Sequence, residues 1–167
     1  MKKIASTIST TILILLIAAA LFVALPKLFG MKMYTILSGS MEPVLEAGDL
    51  IYVAPTDPEK IEEGDIISFV LNDNLVVATH RVVDVDREGK RFTTQGDAND
   101  TEDASPVLYG NVIGVEKFAI PKIGFLFGFI NTSVGRIIAV TSILALTVVS
   151  LLLSGKKTKQ PVPEEKQ

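Results

Sequence analysis

The sequence contains no Cys, no Trp and a single His, His80. Without Cys there is no disulfide framework, no thiolate metal site and no cysteine nucleophile. One His excludes a multi-histidine metal cluster. Neither sign of charge dominates: 16 basic residues face 19 acidic ones, a net of −3, which argues against a nucleic-acid partner. Apolar residues are abundant. They make up 48% of the 167 positions, and the mean hydropathy of +0.41 is high for a soluble domain.

The charges avoid two stretches, Ile4–Leu25 and Ile137–Leu153. A helix that crosses a bilayer needs about 20 apolar residues, so the first run is ample and the second just long enough. The first also exceeds the roughly 7–15 apolar residues of a cleaved signal peptide, so a retained anchor is expected. Lys2 and Lys3 precede the first run, and Lys156, Lys157 and Lys159 follow the second. Basic residues gather on the cytoplasmic side of spans. The predicted organisation is a cytoplasmic N-terminus at 1–3, an anchor at 4–26, an extracytoplasmic domain at 27–133, a second transmembrane helix at 134–154 and a polar cytoplasmic tail at 155–167. The tail, with its two Pro, is expected to be disordered. The central part carries nine basic against seventeen acidic residues, which suits an outer location.

That central part reads as β. Leu50–Ala54, Ile66–Leu71, Leu75–Val85, Arg91–Gln95 and Val112–Ala119 are short, β-branched and bounded by turn residues. Asn72-Asp73-Asn74 and Arg87-Glu88-Gly89-Lys90 suit hairpin connections. Gly48-Asp49, Gly64-Asp65 and Gly96-Asp97 are turn dipeptides, the first two leading into strands. An antiparallel β-domain is the simplest fold. Beyond it, Ile120–Thr132 places Phe125, Phe127 and Phe129 close together. Two readings stand side by side: a surface resting in the bilayer interface, or a lid closing the β-core.

Two places carry chemistry. In Ser38-Gly39-Ser40-Met41-Glu42-Pro43, two serines flank a Gly in a tight turn that can present a hydroxyl. In Thr79-His80-Arg81, alternation puts His80 on one face with Val76, Ala78 and Val82, and Arg81 on the other. A Ser nucleophile needs a base titrating near neutrality, and His supplies one. That base needs an acceptor on its other nitrogen. The polar loop Gly96–Pro106 offers Asp97, Asp100, Glu102 and Asp103.

A span, SGSMEP from Ser38, GDLI from Gly48, GDIISF from Gly64, THRVV from Thr79, QGDAND from Gln95, IPKIG from Ile120 and a second span follow one another. In this order the chain resembles type I signal peptidases over nearly its whole length. The THR segment is similar to the endoplasmic-reticulum-type branch, shared by archaea and some Gram-positive bacteria, in which His replaces a Lys base. The resemblance implies Ser40 as nucleophile and His80 as base. It also implies an oxyanion hole from the Ser38 hydroxyl and the Ser40 backbone N–H, and two important acids at Asp97 and Asp103. GDAN stands here where eukaryotic members have GDNN. Asp97 directly follows Gly96 at a strand end, a setting in which Asp bonds nearby backbone N–H groups. Asp103 lies in a loop that must fold back towards His80. The expected division is therefore Asp103 orienting His80 and Asp97 holding the loop.

The resulting expectation is a mainly β, antiparallel catalytic domain with two transmembrane helices. It would act as a membrane-bound serine endopeptidase that removes signal peptides from exported preproteins. No metal or cofactor is implied. The partners are preproteins and the lipid bilayer. A self-cleaving repressor-type peptidase is disfavoured by the two spans, the lack of a basic head and the His. The alternative from another class is a catalytically silent membrane scaffold of a secretion or pilus-assembly complex, which would tolerate Ser40→Ala.

Overall fold

The computed structural model describes residues 2–71 and 76–154, with no account of the side chains of residues 2–6, 9, 153 and 154. The Asn72-Asp73-Asn74 connection and the tail 155–167 lie outside the described residues, as do Lys156, Lys157 and Lys159. The chain forms two compact units. One is Ala24–Thr132; the other combines the described residues of 1–23 and 133–167.

Helix α1 (Lys2–Leu28) starts in the second unit and ends in the first; α3 (Ser133–Ser154) lies wholly in the second. Thr10–Leu28 and Ser133–Leu152 are long and apolar enough to cross a bilayer. Within their unit the helices share a polar contact, Thr10 Oγ1 to Ser150 Oγ at 3.3 Å, and Ser150 is buried. Hydroxyl pairs of this kind join spans where lipid offers no other hydrogen-bond partner. At its far end α1 closes with two wrapping bonds, Gly30 N–H to Lys27 O and Met31 N–H to Pro26 O. This double closure satisfies carbonyls that the helix leaves free.

The Ala24–Thr132 unit is built on seven strands: β1 (Lys32–Thr35), β2 (Leu50–Ala54), β3 (Ile66–Val70), β4 (Val77–Asp86), β5 (Arg91–Gln95), β6 (Val107–Leu108) and β7 (Val112–Ile120). They make one antiparallel sheet in the order β1-β2-β7-β3-β4-β5-β6. The sequence reading found five of these strands. β1 and β6 are additions, four and two residues long, too short to show alternation. Gly48-Asp49 and Gly64-Asp65 are matched turns. Each Gly has a positive φ, and Asp49 and Asp65 each accept the backbone N–H three residues back, from Glu46 and Glu62.

Two apolar clusters fill the unit. Ile61, Ile67, Phe69, Val82, Phe92, Val107 and Val115 form one; Ile36, Met41, Leu45, Ile51, Val53 and Ile66 form the other. Adjacent residues Ile66 and Ile67 feed different clusters because successive strand side chains point to opposite faces. Truncating a fully buried residue such as Phe92 would cost about 3–5 kcal/mol.

The segment with the three Phe is a short helix, α2 (Ile123–Asn131). Phe125 and Phe129 are 61% and 47% exposed while Phe127 is half-buried, so the three do not together close the β-core. Phe125 and Phe129 sit four residues apart and share a helix face. One edge of Phe125 rests on Gly48, where any Cβ would come within 2.1 Å of the ring. Gly48 also has φ +96, a region that glycine occupies without strain. Lys122 ties down the start of α2 through its backbone N–H to Asp49 Oδ1 and its ammonium to Glu46 and Ala47 O.

Candidate active site

The serine turn is an excursion between β1 and β2. It is closed at its base by Ile36 N–H to Asp49 O and Gly48 N–H to Ile36 O. Met41 and Leu45, both almost fully buried, pin it into the second apolar cluster. The intervening backbone folds on itself through Glu42 N–H to Gly39 O and Leu45 N–H to Met41 O. Fixed at both ends, the turn leaves Ser38 exposed and Ser40 half-buried, with their hydroxyls 3.3 Å apart.

A second clamp comes from the loop after β5. Ala98 N–H donates to the Ser40 carbonyl at 2.9 Å. That approach requires Gly96, because a Cβ there would lie 2.5 Å from the same oxygen. The loop that carries Asp97 and Asp103 is thus bonded to the residue that carries the reactive hydroxyl.

His80 projects from β4, paired across the ladder with Ile67. Its Nε2 lies 3.2 Å from Ser40 Oγ and its Nδ1 2.6 Å from Asp103 Oδ2. An ionised carboxylate only accepts hydrogen bonds, so this contact puts the proton on Nδ1. Nε2 is left with a lone pair towards the Ser40 hydroxyl, as a general base requires. The side chains of His80 and Asp103 are 15% and 22% exposed, enough shelter to strengthen the contact without isolating it from solvent. The edge of Phe69 flanks the imidazole, centroids 6.3 Å apart. Asp103 is held from its main chain by its N–H to Thr94 O at 2.8 Å.

Asp97 has a different partner from the one expected. Instead of nearby backbone N–H groups, its carboxylate accepts from one edge of the Arg81 guanidinium, Nε to Oδ1 at 2.8 Å and Nη2 to Oδ2 at 2.6 Å. Arg81 also donates from Nη1 to Gly64 O. The bond to Asp97 raises the pKa of Arg81 further. Glu116, half-buried nearby, has its carboxyl pKa raised by loss of solvent, although the charges of Lys117 and Arg81 partly oppose this. Arg81 is the residue that sequence reading placed on the opposite face without giving it a role. The signal available was an Arg adjacent to the His, with the loop-holding Asp97 at the end of the neighbouring strand. Asp100 and Glu102, the other acids of the loop, do not join the His80 contacts.

Beside Ser40 and His80 is a cavity of about 380 Å³. The chain from Tyr34 to Met41 lines one side and Val76–His80 the other. Among the described residues, both flanks present strand edges without a partner strand. β1 ends the sheet, and β5 pairs with β4 only from Arg81 onward, leaving Val77–His80 open on that side. The arrangement combines a hydroxyl, a base, a carboxylate behind the base and an extended slot flanked by strand edges.

The family model for signal peptidase, peptidase S26, matches residues 8–98, a little over half of the chain. Over 90 residues the chain is 42% identical to signal peptidase I W of Bacillus subtilis (strain 168), covering 52% of this chain and 47% of that protein. It is 29% identical over 106 residues to the signal peptidase complex catalytic subunit SEC11C of Homo sapiens, covering 58% and 55%. With SEC11 of Zygosaccharomyces rouxii it shares 27% over 134 residues, covering 72% and 77%. The matched region spans about half the length of the first two of these curated relatives. By the family match, the chain belongs to the peptidase S26 family of signal peptidases.

Proposed function

We propose that this protein is a membrane-bound serine endopeptidase that cleaves signal peptides from exported preproteins, with Ser40 as nucleophile and His80 as general base. The observation that carries the reading is the continuous chain Ser40 Oγ–His80–Asp103, with contacts of 3.2 and 2.6 Å. In acylation, Ser40 Oγ attacks the scissile carbonyl and its proton passes to His80 Nε2. The imidazolium so formed is stabilised by Asp103 through Nδ1–H. His80 then returns the proton to the leaving amine. A water takes the place of that amine, loses its proton to His80 and attacks the ester, and the serine is regenerated with release of the signal peptide.

Negative charge on the tetrahedral oxygen is met by the Ser40 backbone N–H and the Ser38 hydroxyl. The Ser38 hydroxyl contacts Ser40 Oγ at rest and turns outward as the oxyanion forms. Asp97 serves through Arg81 by holding the loop. The substrate lies extended along the cavity, its backbone paired with a free strand edge and its small side chains at −1 and −3 entering the slot. The helices Thr10–Leu28 and Ser133–Leu152 span the membrane with both termini cytoplasmic, and the peptidase domain lies outside. Sharing a bilayer with the preprotein raises the effective concentration of the cleavage site.

The direct test incubates the detergent-solubilised full chain with a panel of preproteins and sequences the N-termini of the products. Cleavage after small residues at −1 and −3, lost in Ser40→Ala, is the expected result. Wild-type cleavage by Ser40→Ala would refute the assignment.

A further inference from the structure

We propose that Thr94 is a positioning residue of this site: its hydroxyl locks the Asp103 carboxylate so that the His80 ring stays protonated on Nδ1. The inference rests on the reading of Ser40 and His80 as nucleophile and base. Thr94 lies on β5 and is 1% exposed. Its hydroxyl donates to Asp103 Oδ2 at 2.6 Å, the same oxygen that His80 Nδ1 meets at 2.6 Å. The direction of the first bond is fixed, because a carboxylate can only accept. Oδ2 therefore carries two donors, one for each of its lone pairs, and is fully engaged. The Thr94 carbonyl meanwhile accepts the Asp103 backbone N–H at 2.8 Å. One strand residue thus holds both the backbone and the carboxylate of the loop acid.

The strand register explains why Thr94 can do this. It is the cross-strand partner of Val82, and cross-strand partners share a face. Val82 lies two residues from His80 on the same strand, so it shares the His80 face as well. The Thr94 hydroxyl therefore reaches the His80 side of the sheet from a neighbouring strand. Asp103 itself comes from the connection between β5 and β6 rather than from a strand. Rotation of an Asp carboxylate about its last torsion is broad, so a loop Asp has little to fix it unless a partner does. A β-branched Thr, stiff at χ1, makes a rigid donor. If the lock is released, the carboxylate can turn away and Nδ1 loses its acceptor. The ring is then free to carry its proton on Nε2, where it can no longer accept from Ser40.

The experiment uses the full chain in detergent with ¹⁵N-labelled histidine. His80 is the only His, so the spectrum at a pH where the ring is neutral reports one tautomer equilibrium. Wild type is expected to show the Nδ1–H tautomer. Thr94→Val, nearly isosteric but without a donor, should show a mixture in which Nε2–H has gained. It should also lose about 10- to 100-fold in kcat on a preprotein with KM within twofold, the scale of a lost hydrogen bond to a charged group. Thr94→Ser should restore the wild-type tautomer and most of the rate. Should Thr94→Val fail to fold, Thr94→Ala carries the same readouts. A wild-type tautomer in the variant without a donor, or a Thr94→Ser protein as impaired as that variant, would overturn the proposal. The tautomer is read without substrate. A wild type that cleaves no preprotein would therefore count against the peptidase reading alone, and the spectrum would still decide the role of Thr94.

Discussion

His80 and Arg81 are neighbours on one strand that point to opposite faces, and each is met by an Asp from the same loop. On one face His80 Nδ1 meets Asp103 with a single bond of 2.6 Å and leaves Nε2 free for a hydroxyl. On the other, Arg81 and Asp97 join through two parallel bonds, and the remaining guanidinium nitrogen goes to Gly64 O. The first pairing leaves a lone pair available, as a reacting site requires. The second leaves no nitrogen without a partner and serves to fix a backbone. Strand alternation thus separates chemistry from support within two consecutive residues.

The comparison can be broken most severely on the His80 face. Ser40→Ala and His80→Ala should each abolish preprotein cleavage while membrane insertion persists. His80→Lys should stay inactive, since its longer stem and charged ammonium need a different, desolvating pocket. A product band from any of the three would undo the assignment of roles. Next in size, Asp103→Asn should lower kcat by about 10⁴, the penalty for losing an orienting Asp in a serine triad, with little change in melting temperature. A large loss of thermal stability with modest loss of rate would instead give Asp103 the supporting role.

On the Arg81 face the order of effects should reverse. Asp97→Asn removes the charged acceptor of a two-pronged bond and should cost about 1–3 kcal/mol in stability, seen as a lower melting temperature, with a smaller fall in rate. Arg81→Lys sharpens the test, because Lys keeps the charge but cannot reproduce the fork. It should fall between wild type and Asp97→Asn in thermal melts.

The smallest effect concerns Glu116, beside the Arg81 pair. Its folded pKa is raised by burial, so the ionised form weakens the fold. Stability present below the ordinary Glu value is lost as pH rises through the raised folded value. Glu116→Gln should therefore melt slightly higher than wild type at neutral pH, and the gain should vanish on acidification to below the ordinary Glu range. A variant that melts lower at neutral pH would mean that attraction to Arg81 outweighs burial.

Much of this arrangement was legible in the sequence, for identifiable reasons. β2, β3, β5 and β7 have enough β-branched residues between turn signals to be recognised, and the Gly-Asp dipeptides marked where two of them begin. α2 was harder. Phe125, Phe127 and Phe129 alternate as a strand would, yet they lie on a helix where the first and third share an exposed face. Ser40 and His80 stood out through motif resemblance. The partner of each Asp depends on how the loop of residues 96–106 folds, and local spacing does not encode that. Arg81 and Thr94 belong to residue types common on half-buried strands, so only the ladder register reveals what they touch.

The seat of α2 on Gly48 has a practical consequence for anyone who wants this domain in a water-soluble form. Cutting before Ile123 would remove the Phe125 ring and uncover Gly48, so the helix must be kept. Keeping it retains an outward face of Phe125, Leu126, Phe129 and Ile130. A fragment ending near Thr132 should therefore fold but self-associate, and polar replacements belong at Leu126, Phe129 and Ile130 rather than at Phe125, whose ring covers Gly48.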